Sequence, residues 1–168
     1  AISQPNLEND SRLQQQLVAA TNHQVAVELE ENNYSEAQFL INGLLRAKSL
    51  NKTSQSQLKT TLNKVKCHQY IFSAKNHSNQ SDYNSAYKQL LTAYQHDENC
   101  SSKSDAFIET RLKVTEAMHQ KALTHYRNQQ LDQASTIWDQ ILAIKPNDDL
   151  ALVYKDRVTN LKKKLNEL

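Results

Sequence analysis

The side chains able to do chemistry in this chain are six histidines, two cysteines and one group of carboxylates. The histidines are His23, His68, His77, His96, His119 and His125. A zinc site needs three or four ligands at helical or hairpin spacing. Neither HExxH nor CxxC occurs, and His119 and His125, six apart, fall on different faces of a helix. The reading is surface or groove histidine, with no metal. Glu28, Glu30 and Glu31 with Glu36 offer carboxylates for acid–base work. Gathered at one helix end, they read instead as a solvated hairpin tip. The only glycine is Gly43. Neither GxGxxG nor GxxxxGK[ST] can be written with one glycine, so nucleotide chemistry by those two routes is excluded and no cofactor is implied.

Cys67 shares a helix face with Ile71 and Ala74, whereas Cys100 follows a short helix in a segment able to fold back along the long one. Two readings stand. One is a bridge closing a loop of about thirty residues. The other is two unpaired thiols, one buried and one exposed. A nucleophilic cysteine needs a base beside it. His68 is next in sequence but points about 100° away on a helix, so catalysis is not read here, and the chain is read as no enzyme.

Charge adds one surface feature. Seven basic residues lie between Arg46 and Lys75 (Arg46, Lys48, Lys52, Lys59, Lys64, Lys66 and Lys75) with no acid among them. This stretch either attracts an acidic partner, an anionic glycan or a lipid surface, or is a solvated helix face. Aromatic interleaving is missing and the net charge is only +2, so nucleic acid is not expected. No run reaches the ~18 apolar residues of a membrane span. The chain opens on Ala1 rather than Met. It reads as a processed or excised chain whose targeting segment has been removed.

The elements that position these residues repeat. NNYSEAQFLINGLL, QSDYNSAYKQLLTAY and NQQLDQASTIWDQIL share one layout. A large apolar residue (Tyr34, Tyr83, Leu131) is followed three later by a small one (Ala37, Ala86, Ala134). A bulky residue comes four further on (Ile41, Leu90, Trp138), and another apolar residue three beyond it (Leu44, Ala93, Ile141). Steps of three and four make one stripe of an amphipathic helix. Asn33 with Glu36, and Asp82, supply helix-start signals. Longer helices precede each short one, marked by Leu13, Leu17, Val25 and Leu29; by Leu58, Leu62, Val65 and Phe72; and by Ile108, Leu112, Met118, Ala122 and Tyr126. A last helix follows Pro146, with Asn147 and Asp148 at its start and Leu150, Tyr154, Val158, Leu161, Leu165 and Leu168 as its stripe. Scarcity of Gly and Pro argues against a sheet. The spacing predicts an all-α fold of about seven helices over 8–31, 34–48, 54–78, 82–96, 104–128, 131–144 and 148–166, with 1–7 disordered. Ala74 with Ala86, and Ala122 with Ala134, are small enough to let paired helices approach closely; with Ala37 and Trp138 they form the expected core.

At these residues the chain resembles the tetratricopeptide repeat family. The third unit matches through Ala122, Ala134, Trp138 and Pro146, with Met118, Lys121 and His125 at positions where the family carries Trp, Leu and Tyr. The second matches through Ala74, Tyr83, Ala86, Leu90 and Ala93, and the first through Val25, Tyr34, Ala37, Ile41 and Leu44. The period departs from the family: Ala37, Ala86 and Ala134 are 49 and 48 apart, not 34. The surplus reads as N-terminal extension of each long helix by about 22 Å. The resemblance implies one domain over 1–168, a right-handed α-α hairpin solenoid with repeats at 8–50, 54–100 and 104–146 and a capping helix at 148–166.

The resemblance also implies a concave groove lined by the long helices. Carried over, its positions are Asn22 and Ala26; His68, Ile71, Lys75 and Asn79; and His119, Leu123, Tyr126 and Arg127. Lys75 and Asn79 have the spacing of one half of the family's carboxylate clamp but sit one turn late, and Leu123 replaces the lysine of the other half. The implied function is a non-enzymatic scaffold for a protein or peptide partner, with a glycan or cell-wall polymer as the alternative. The setting expected is a bacterial periplasmic, secreted or lipid-anchored envelope protein, with the cytoplasm as the alternative.

Overall fold

Three turns of one geometry organise the chain. The computed structural model describes residues 11–47 and 49–167, so the expectation for 1–7 lies outside the described residues. Asn32, Ser81 and Gln129 take positive φ of 60°, 62° and 60°. The next amide then donates back to a carbonyl five residues earlier: Asn33 to Glu28 at 2.8 Å, Asp82 to His77 at 2.9 Å and Gln130 to His125 at 2.9 Å. This closure satisfies the last carbonyls of one helix and reverses the chain. Glycine usually occupies the left-handed position, because other residues carry a steric cost of about 1–2 kcal/mol there. Here Asn, Ser and Gln occupy it.

Each turn is also clasped by side chains between those same two positions. Asn33 Nδ2 donates to Glu28 Oε2 at 3.1 Å, His77 Nδ1 lies 3.4 Å from Asp82 Oδ2, and His125 Nδ1 pairs with Gln130 Oε1 at 2.6 Å. The acidic hairpin tip therefore has a local job, since Glu31 also accepts from Asn33.

The fold is all-α. Among the described residues the helices are α1 (Ser11–Glu30), α2 (Tyr34–Leu45), α3 (Lys52–Asn79), α4 (Tyr83–His96), α5 (Glu98–Lys103), α6 (Asp105–Arg127), α7 (Leu131–Ile144) and α8 (Asp149–Asn166). The eighth, α5, occupies a segment that carries no apolar period. It exists because Asp97 caps its start, accepting from the Cys100 amide, and Ser104 then caps α6, accepting from the Phe107 amide. Asp82 and Asp148 cap α4 and α8 in the same way. No helix of the described residues is long and apolar enough to cross a membrane.

The chain divides into two compact units, Ala1–Gln69 and Tyr70–Leu168, and α3 contributes residues to both. The first unit packs α1, α2 and the start of α3 around Val18, Val25, Ala37, Ile41, Leu50, Leu58 and Val65. The first half of its expected α1 stripe is displaced by one residue, whereas Val25 and Leu29 pack in the core as expected. Leu17 is exposed, while Gln14 and Val18 face inward. Gln14 is buried because its amide holds the α2–α3 connection with both ends: Nε2 donates to the Ser49 carbonyl at 2.9 Å and Oε1 accepts from the Asn51 amide at 2.8 Å.

The second unit packs α4, α6, α7 and α8 around Ala86, Leu90, Phe107, Val114, Ala122, Ala134, Trp138, Ile141 and Ile144, each fully buried. Trp138 stacks on Tyr154, ring centroids 4.9 Å apart, and meets Tyr126 edge-on at 6.0 Å. Three expected stripes shift here too. Ile108 and Leu112 of α6 are exposed, and Phe107, Thr110 and Val114 are buried instead. Phe72 is exposed, whereas Ile71 and Ala74 are buried. On α8 the buried residues are Ala151 and Val158, while Leu150, Leu161 and Leu165 are exposed.

Candidate binding surfaces

In the first unit, α1 and α3 frame an open groove of about 570 Å³. Its floor is Val18 and Ala19, and its walls are Gln15 and Asn22 from α1 with Ser56, Gln57, Thr60 and Thr61 from α3. The small side chain of Ala19 leaves room there, and Ala26 lies one helical repeat further along the same side of α1. Asn22 is half-buried and accepts from Thr61 Oγ1 at 2.9 Å. Ala26 is exposed one turn further along α1. On α3, Gln57, Thr61, Lys64 and His68 follow at steps of four, three and four, so they share one side of the helix. His68 is half-buried and Lys64 exposed. A side-chain amide both donates and accepts, so this wall can pair with either group of a peptide backbone.

The basic segment is a set of solvated cations within this unit. Arg46, Lys52, Lys59 and Lys64 are exposed, and Lys66 is half-buried. The ion pairs among the described residues involve none of them. Lys48 lies outside the described residues.

In the second unit the carried-over groove positions differ in exposure. Lys75 and Asn79 are exposed one turn apart at the end of α3, and Leu123, half-buried, and Arg127, exposed, lie one turn apart on α6. Tyr126 is half-buried and belongs to the aromatic cluster, edge-on to Tyr154 at 5.4 Å. Two positions are corrected. Ile71 is only 3% exposed, sealed in the core on the side of α3 that also buries Ala74. His119 is buried as well. Its Nε2 lies 2.9 Å from Asp148 Oδ1, while its Nδ1 is buried with no hydrogen-bond partner. Both are closed off from solvent.

Asp148 is the centre of that arrangement. It accepts from the Ala151 amide at 2.9 Å and from Lys145 Nζ at 2.8 Å, in addition to facing His119. Burial works to raise its pKa, but the Lys145 hydrogen bond, the Ala151 amide and the His119 and Lys145 charges outweigh it, and the net shift is downward. Sequence reasoning saw Asp148 only as a helix start. A buried histidine one helix away leaves no local trace.

A second cavity, about 280 Å³, opens between α4, α6 and α7. Tyr87, Met118 and Ile137 form its apolar lining, with Asp82, Lys121 and Gln140 among its polar residues. Nothing in the repeat pattern signalled it, because its lining comes from three helices. Cys67 and Cys100 are both disulfide-bonded, and no free cysteine remains. Among the described residues, no group of three or more His, Cys, Asp and Glu side chains is placed to hold a metal. No protein-family model, curated protein or solved structure matches the chain.

Proposed function

We propose that this chain is a non-enzymatic interaction scaffold of the tetratricopeptide type, its helix hairpins stacked as a solenoid, and that it holds an extended or helical segment of a protein partner. The observation that carries this reading is the α1–α3 groove, whose walls are amide and hydroxyl side chains over a floor of Val18 and Ala19. The three turns of equal geometry support the repeat, as do Ala37, Ala86 and Ala134, each fully buried. An oxidising, extracytoplasmic setting is part of the proposal and rests on the disulfide-bonded cysteines.

The test is capture by the immobilised chain, with bound material identified by mass spectrometry, run in parallel with Asn22→Ala and Gln57→Ala. A protein retained by the parent chain and lost from both variants is the expected result. Retention of polysaccharide alone would favour the glycan reading, and equal capture by parent and variants would remove the groove from the account.

A further inference from the structure

Helix α8 has a second face that its packing uses only through Tyr154, which stacks on Trp138. It lies against α7 through Ala151 and Val158, and it is stitched there by Lys155–Asp139 and Lys162–Asp132 ion pairs. Beside that buried strip, Leu150, Val153, Leu161 and Leu165 are 41%, 47%, 38% and 61% exposed. At 100° per residue these four, with Arg157 and Lys164, fall within an arc of about 120°. Asp149, Asp156 and Glu167 lie together beyond one edge of the arc. The strip is therefore apolar and cationic with no acid inside it.

Its two cations are unspent. The acids of α7 take up Lys155 and Lys162, but no described carboxylate pairs with Arg157 or Lys164. The Arg157 guanidinium instead rests over the Tyr154 ring, 5.0 Å from its centroid. That contact orients it, and no described carboxylate takes up its charge.

We propose that this strip of α8 is the docking face for an amphipathic helix of a partner protein, one whose apolar stripe is bordered by Glu or Asp. Charge decides the occupant. A second copy of the chain offering the same strip would set Arg157 and Lys164 against their own kind, and like charges across an interface suppress a wrong partner. Leu150, Val153, Leu161 and Leu165 supply apolar positions for helix-in-groove recognition, and Arg157 and Lys164 select the border. The inference rests on the reading of the chain as a protein-binding scaffold, at a surface separate from the α1–α3 groove.

The experiment uses the full chain and a fluorescein-labelled synthetic peptide of roughly 20 residues, about 30 Å as a helix, with Leu at helical spacing and Glu on both borders. A second peptide carries Lys in place of every Glu. The expected result is saturable anisotropy with the Glu peptide alone, weakened about tenfold by Arg157→Glu and by Leu165→Glu. Lys163→Glu, on the far side of the helix, and Asn22→Ala, in the α1–α3 groove, leave binding unchanged. Circular dichroism confirms that each variant folds. Equal binding of the two peptides, or none, overturns the proposal. So does sedimentation showing a dimer that Arg157→Glu dissociates, or binding only to phosphatidylcholine vesicles containing phosphatidylglycerol. Loss of Glu-peptide binding in Asn22→Ala but not in Arg157→Glu overturns this site and leaves the groove reading standing.

Discussion

Asp148→Ala removes three interactions at once, and their costs can be separated. The carboxylate caps α8 through the Ala151 amide, and loss of a cap costs about 1 kcal/mol. It is also the partner of His119 Nε2. His119 Nδ1 already has none, so the variant leaves a buried imidazole unpaired at both nitrogens, a further ~1–3 kcal/mol. The Lys145 head is more than a third exposed and contributes little once screened. The total is a loss of about 2–4 kcal/mol, read as the shift of the urea midpoint at constant slope. Asp148→Asn retains a capping oxygen and loses less. The two variants also differ from the parent in pH dependence. Asp148 has a folded-state pKa below the ordinary carboxylate value. Its contribution is thus fully present above the unfolded pKa and lost as pH falls through the folded one. The parent weakens across that acid range, and the variants lack this component. An Asp148→Ala chain within about 0.5 kcal/mol of the parent at neutral pH, the range of an ordinary surface change, would refute the reasoning.

Two further outcomes are expected. Ser81→Gly and Gln129→Gly relieve left-handed backbone at φ 62° and 60° and should raise stability by up to about 1 kcal/mol, whereas β-branched Val at either position should lower it; thermal melts of the four variants decide the sign. Thiol titration of the denatured, unreduced protein should find no free thiol, and two after reduction, with reduction costing about 2–4 kcal/mol.

Much of the fold was legible because its signals are local. The small residues Ala37, Ala86 and Ala134, the turn-closing polar residues before them and the apolar steps of three and four all act within one hairpin. Short helices α2, α4 and α7 accordingly start at Tyr34, Tyr83 and Leu131, where the pattern begins. The long helices were harder. On α3, Leu58 and Val65 are buried near one end, while Cys67, Ile71 and Ala74 are buried on roughly the opposite side further along. A single stripe read through such a helix must fail, and Phe72 and Ile71 exchange roles for that reason.

The same limit applies to the sites. Asn22 was named as a groove position only through the resemblance to tetratricopeptide repeats, and the α4–α6–α7 cavity needed three helices to come together. His119 passed for a surface ligand because its partner, Asp148, lies 29 residues away in sequence. The free strip of α8 was hidden in the opposite sense: Leu150, Leu161 and Leu165 carry an ordinary core pattern, and only the packing of Ala151 and Val158 against α7 leaves them outside. By itself, the sequence determined the all-α class, the hairpins and their 48–49-residue period, since these depend on backbone turn chemistry and side-chain size at fixed short spacing. The tertiary structure decided which face of each long helix is core, since that depends on neighbours that change along the helix.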